Sequence, residues 1–282
     1  MKKIKLWLLF FFLAANSVKI EAQLCSNPTD SVYGLNSITG SGSGQIISIN
    51  INDAGTATVG SPAATSANAN GIGFSQVNGR FYFFNQCGSG TVEFVSFDPI
   101  SGSKITLSNP PLFPASQKVR SGTVTQGGSG YYFIFPGATA AMGYPVTNPA
   151  LYYYNIGAGT WTLITQSFLD ISGNPVTPIR TLNSGDIAFD GNDNLWILSS
   201  NAANYALYRL NAPLPTTAVA SVTVDTIIAQ TATPGGVSFT GIAFNSEGNL
   251  YLSTGSYTVA PGVAGNNQLY ELLTAASPLV RF

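Results

Sequence analysis

Histidine is absent from all 282 residues. Its absence excludes Ser-His-Asp and Cys-His nucleophilic machinery and every zinc site that depends on an imidazole. Charge is also scarce. Charged residues make up 8% of the chain, against about 25% in an average soluble domain, so the polar surface has to come from Ser, Thr, Asn and Gly. Only two cysteines are present, Cys25 and Cys87. Long apolar runs are missing too, apart from Leu6 to Ala15 near the N-terminus, and ten residues fall short of the roughly 20 that cross a bilayer as a helix.

That run sits in "MKKIKLWLLFFFLAANSVKIEA", behind three lysines and ahead of a short polar stretch ending in alanine. The arrangement is that of a secretory signal peptide, with removal expected after Ala22 despite the large Ile20. Residues 1–22 are therefore assigned to export and 23–282 to a single mature domain. A lipid-modified N-terminus would need a small residue before the cysteine, where Leu24 stands before Cys25. Export removes four lysines and one glutamate, leaving seven basic and eleven acidic side chains and a net charge near −4. No basic patch for nucleic acid remains. The expected destination is extracellular or at the cell surface, secreted and not membrane-spanning. In an oxidising compartment Cys25 and Cys87 either form a disulfide or stay as two free thiols, and the sequence leaves both open.

What the chain does contain is repetition. "GDIAFDGNDNLWILSS" (185–200) returns as "GIAFNSEGNLYLSTG" (241–255), with kindred copies in "GIGFSQVNGRFYFFNQ" (71–86), "GTVTQGGSGYYFIFPG" (122–137) and, more weakly, "QLCSNPTDSVYGLNS" at 23–37. Each is an apolar run, a turn and an aromatic-rich run. The turn position carries Asp30, Gly79, Gly130, Asp193 or Gly248, residues that tolerate the positive φ of a tight hairpin. These positions lie 49, 51, 63 and 55 residues apart, too regular for coincidence. A third run follows in each copy ("QIISIN", "TVEFVSFD", "ALYYYN", "ALYRLN", "QLYELL"), then a fourth ("TATVG", "KITLS", "WTLITQ", "SVTVDTII", "PLVRF").

Four short strands repeated five times predict an all-β fold, a β-propeller of about five four-stranded antiparallel blades. A β-sandwich also has many short strands, but it does not require one hairpin to recur five times. Bulky neighbours in "RFYFFNQ" and "NLWILSS" mark strands buried on both faces, as between two blades. The innermost strand of the first blade is open at this stage. "QLCS" supplies it, or sequence beyond Phe282 does, in which case a sixth blade becomes possible.

The hairpins at 185–200 and 241–255 resemble the repeats of NHL, SMP-30-like and two-component-regulator propellers of secreted bacterial proteins, which share a D/N-x-x-G-N-L-Y/W turn. The likeness covers two blades well and the rest by spacing. It implies architecture and leaves function open, because that superfamily holds binding scaffolds, sensors and enzymes. Its gluconolactonase-like members imply a divalent metal held in the channel by acidic and Asn side chains. Here only Asp186, at the start of an inner strand, and Asp170, in the connection before it, could reach a channel mouth, and a hard cation asks for more oxygens than two carboxylates give. "DGNDN" at 190–194 lacks the glutamate of an EF-hand loop and reads as a plain turn, and the Asp-box turns of sialidase-like propellers are missing.

Propellers bind ligands where second-to-third-strand loops and inter-blade connections converge. Three such loops carry Tyr144, Tyr205 and Tyr257, and the connections add Arg120 and Arg180. An apolar ring with a hydroxyl suits a sugar or a peptide. The expected function is a secreted, non-catalytic binding or protein-interaction module for an unidentified extracellular ligand, with no cofactor. The alternative is a metal-dependent hydrolase or lactonase of the SMP-30 kind, using Asp186 and Asp170.

Overall fold

A computed structural model describes residues 31–36, 45–52, 55–59, 69–86, 92–111, 119, 121–135, 149–177, 179, 184–254, 268–272 and 280–281. Residues 1–22 lie outside this set. The regular structure of the described chain is almost all strand, arranged as a five-bladed β-propeller of small antiparallel sheets.

Blade I shows three strands among the described residues, β1 (Ser31–Asn36), β2 (Gln45–Asn50) and β3 (Thr56–Thr58). Blade II is β4 (Asn70–Ser75), β5 (Arg80–Gln86), β6 (Val92–Phe97) and β7 (Lys104–Leu107). Blade III is β8 (Thr123–Val124), β9 (Gly130–Phe135), β10 (Ala150–Asn155) and β11 (Thr160–Thr165). A short strand β12 (Phe168–Leu169) precedes blade IV, formed by β13 (Ser184–Phe189), β14 (Leu195–Ser200), β15 (Asn204–Leu210) and β17 (Asp225–Ala232). Between the last two lies β16 (Val222–Thr223), which pairs in parallel with β12 instead of joining the blade. The run "SVTVDTII" therefore divides, and only its second half is the outer strand predicted for it. Blade V is β18 (Phe239–Phe244), β19 (Leu250–Thr254), β20 (Leu269–Leu272) and β21 (Val280–Arg281).

The ring is visible in how the sheets share their cores. Successive side chains on a strand point to opposite faces, and here each face meets a different blade. Phe81 and Phe83 of β5 pack toward blade I with Val32's neighbours Tyr33 and Leu35, whereas Tyr82 and Phe84 pack toward blade III. In β9, Tyr131 and Phe133 face blade II, and Tyr132 and Ile134 face blade IV. Leu250 and Leu252 face blade IV, and Tyr251 faces blade I beside Val32 and Ile51. Five cores thus lie between five pairs of blades, and the fifth, between V and I, closes the circle. The inner strands follow the same order: β4 lies beside β8, β8 beside β13 and β13 beside β18, while β1 touches both β18 and β4.

Among the described residues each turn from first to second strand holds one residue at positive φ, namely Gly79 (+68°), Gly128 (+70°), Asp193 (+60°) and Gly248 (+86°), while Asp30 lies outside them. Three of these match the expected positions. In blade III the residue is Gly128, not Gly130, which instead begins β9. Gly130 is small for another reason: a Cβ there would stand 2.4 Å from Cε2 of Tyr153. Among the described residues no helix is long and apolar enough to cross a membrane.

Candidate functional site at the propeller axis

The inner strands surround the axis, so their side chains decide what the centre offers. By strand pairing, the inner residues at one level of the ring are Asn70 (opposite Phe84), Asp186 (opposite Leu198) and Gly241 (opposite Ser253), with Ser121 of blade III bonded to the Ile134 carbonyl. Asn70 Oδ1 accepts the N–H of its own neighbour Gly71 at 2.8 Å. One carboxylate, that of Asp186, thus stands where blade II has an amide and blades III and V have smaller residues. Its Oδ1 accepts the N–H of its own neighbour Ile187 (2.8 Å) and that of Gly122 in blade III (3.3 Å), and the Ile242 N–H of blade V is directed at the same carboxyl. Gly122, Ile187 and Ile242 are equivalent residues of three consecutive blades, so amides at one level of the ring converge on one side chain.

Protein atoms surround this carboxyl, and the residue as a whole is part-buried. Burial is the largest influence on its pKa and raises it well above the usual carboxylate range, while the nearby N–H groups pull the other way. The Tyr131 hydroxyl lies close enough to feel it. Burial first, and then the charge of Asp186, lift that phenol well above its ordinary value. Tyr131 Oη donates to the carbonyl of Gly71 (2.5 Å), linking blade III to blade II. Gly122 has to lack a side chain here, since a Cβ would fall 1.8 Å from Tyr131 Oη.

Asp170 is held elsewhere. It follows β12, and its oxygens accept the N–H groups of Ser172 and Asn174 (both 2.8 Å) and the Asn174 amide (3.3 Å). The Asn174 backbone bond leads the causes that hold its carboxyl below the usual range. Among the described residues no three His, Cys, Asp or Glu side chains gather as a metal would need. With one oxygen of Asp186 taken by two amides and its proposed partner engaged in a separate turn, the described residues fall short of the six to eight oxygens that a hard divalent cation takes.

Tyr205 is placed differently from the expectation. Asn201 Oδ1 accepts the N–H groups of Ala203 and Asn204 (both 2.8 Å), closing "NAANYA" into a tight turn, and Tyr205 falls within β15 opposite Ser200. Its ring meets Phe239 edge-on at 5.0 Å and is 7% exposed, inside the core between blades IV and V. Tyr144, Tyr257, Arg120, Arg180, Cys25 and Cys87 lie outside the described residues.

A network on blade IV was not singled out from the sequence. Trp196 Nε1 and Asn194 Nδ2 both donate to Asp190 Oδ2 (2.9 Å), the Arg209 guanidinium stands 5.8 Å from the Trp196 ring, and Arg209 and Asn211 bind Asp225 at 3.0 and 2.8 Å. The signal was present as an acid six residues before the tryptophan, but a helical or strand period gives no reason to pair them.

No family model matches the chain, and no curated protein does. Solved structures do. TolB from Acinetobacter baumannii superposes with a TM-score of 0.51 at 8% identity, over 89% of this chain and 51% of that one. The periplasmic gluconolactonase PpgL of Pseudomonas aeruginosa gives 0.47 at 15%, over 90% and 67%. A regucalcin from Agrobacterium tumefaciens, titled a calcium-binding protein, gives 0.48 at 11%, over 85% and 75%. The chain thus spans about half the length of TolB. At such identities likeness speaks for the fold and leaves activity open. By its ring of five blades and by the company its backbone keeps, the chain is a β-propeller.

Proposed function

We propose that this chain is an exported, non-catalytic binding or protein-interaction module of the NHL and SMP-30-like type, taking a carbohydrate or a peptide on one end of the ring. The observation that carries this reading is the direction of its connections. In an antiparallel meander every second strand ends, and every third strand begins, at the same end of the ring, so the strand ends Asn36 and Gln45, Gln86 and Val92, Phe135 and Ala150, Ser200 and Asn204, and Thr254 and Leu269 share that end. A rigid ring presenting several connections side by side is a common way to aim polar groups at a ligand. Support from the axis is indirect: its one carboxyl is engaged by the protein's own amides, and no donor set for a divalent ion gathers among the described residues. Tyr144 and Tyr257, with Arg120 and Arg180, are the residues assigned to the ligand. Tyr205 serves the core.

The test uses the chain from Gln23 onward on glycan and peptide arrays, followed by titration of any hit. Replacing Tyr144 and Tyr257 by alanine is expected to weaken binding at least about tenfold, the loss of one or two aromatic contacts, with the melting temperature unchanged. Binding that survives both changes, or lactone hydrolysis that depends on an added divalent metal, would overturn the proposal.

A further inference from the structure

Asp186 stands out in the inner ring. It has no cationic partner among the described residues, and it occupies a place where the neighbouring blades carry Ser121 and Gly241 and blade II carries the neutral Asn70. A carboxyl in such a setting is costly unless its acceptors are filled. Backbone takes one of its oxygens twice: Oδ1 accepts the Ile187 N–H of its own blade IV and the Gly122 N–H of blade III, with the Ile242 amide of blade V nearby. Inner strands of adjacent blades are not paired as a sheet, so their axial amides have no ladder partner across the gap and require another acceptor. One side chain reaching across the gap between blades III and IV meets that need for both strands. The next gap, between blades II and III, is spanned differently, by the Tyr131 hydroxyl donating to the Gly71 carbonyl. Glycine at 71 and 122 is what lets that phenol stand there, since a Cβ at either would lie within 2.8 Å of its oxygen.

We propose that Asp186 is an axial tie of the ring, an internal acceptor that holds the inner strands of blades III and IV by their amides beside that of blade V. It is a positioning residue and not a metal ligand.

The claim rests on an acceptor oxygen, so it separates from a metal role by chemistry. Asp186→Asn keeps an oxygen at the same reach and is expected to melt within about 2 °C of the parent protein. Asp186→Gly, the residue type at position 241, removes the acceptor and is expected to melt about 5 °C lower or more, the scale of two lost hydrogen bonds in a domain of this size. Sodium formate at tens of millimolar, matched for ionic strength with sodium chloride, is expected to restore at least half of that shift by entering the vacated place. The parent protein is expected to respond neither to EDTA nor to calcium. Should Asp186→Gly fail to fold, Asp186→Ser, carrying the group blade III has at Ser121, supplies the same contrast with Asn. The inference is overturned if Asn and Gly destabilise equally, if Asp186→Gly melts with the parent, if formate acts no differently from chloride, or if calcium raises the melting temperature of the parent and not of Asp186→Asn.

Discussion

At the scale of single residues, two acids four positions apart show how environment divides the work of one side-chain type. Asp186 is pushed up by burial. Burial works to raise Asp190 too, but the bonds from Trp196, Asn194 and the amides of Asn192 and Asn194 outweigh it, and its carboxyl lies below the usual range. The sign of the linkage follows. A group whose folded-state acidity is strengthened contributes stability above its unfolded value, near 3.9, and loses it as pH falls through the lower folded value. The gap in melting temperature between the parent and Asp190→Asn is therefore expected to be full at pH 6 and to narrow below about pH 4; thermal melts across that range check it, and a gap that widens in acid would contradict it. Asp193 explains why a blade can use an acid where others use glycine. Its φ of +60° costs a side-chain-bearing residue about 1 kcal/mol, and its Oδ1 accepts the Gln126 N–H of the preceding blade at 2.9 Å in return. Gly122 has no such latitude. Gly122→Ala would drive a methyl into the fully buried Tyr131, and a loss of about 3 kcal/mol in denaturant unfolding is expected, at the upper end for overpacking.

At the scale of elements, the hairpins were the most legible part of the molecule, because turn chemistry and alternation are local. The runs read as first, second and third strands fall on strands in blades II to V, and alternation in "RFYFFNQ" correctly gave two buried faces. Errors arose where a distant contact decided. Gly130 was taken for a turn glycine when the Tyr153 ring is what requires it, and part of "SVTVDTII" was captured by Phe168–Leu169, more than fifty residues away. Tyr205 belongs to the same class of error. As a loop tyrosine it suits a ligand; as a strand residue against Phe239 it suits the core. Tyr205→Ala is expected to cost about 3 kcal/mol, as large aromatic truncations do, and to alter ligand binding no more than that instability explains; binding per folded molecule, measured beside a melt, distinguishes the two. Blades II and III are joined by a denser aromatic contact. Phe84 lies 4.9 Å from Phe94 and 5.0 Å from Phe133, ring centre to ring centre, with no exposure. Phe84→Ala is expected to cost about 3–5 kcal/mol, read from the urea midpoint at unchanged slope.

At the scale of the whole molecule, the five shared cores make each blade's stability depend on its neighbours. Removing blade V would expose Leu198 and Leu207 on one side and Val32 and Ile51 on the other. A chain ending at residue 238 is therefore expected to lose cooperative unfolding and to bind a hydrophobic dye, where the parent gives one sharp transition; a truncated form with a sharp melt would mean the blades stand alone. The amino-acid sequence by itself determined what depends on near neighbours along the chain: the strand and turn pattern, the count of repeats, the two-faced burial that forces sheets to stack, and the chemistries that a chain without histidine cannot perform. Tertiary structure alone decided what depends on residues brought together from different blades. It joined Gly122, Ile187 and Ile242 at Asp186, moved Tyr205 out of the candidate ligand set and into a core, and left Asp170 in a turn of its own. The physical reason is that a hairpin closes over a handful of residues, whereas the axis of a ring is defined only once the last blade has packed against the first.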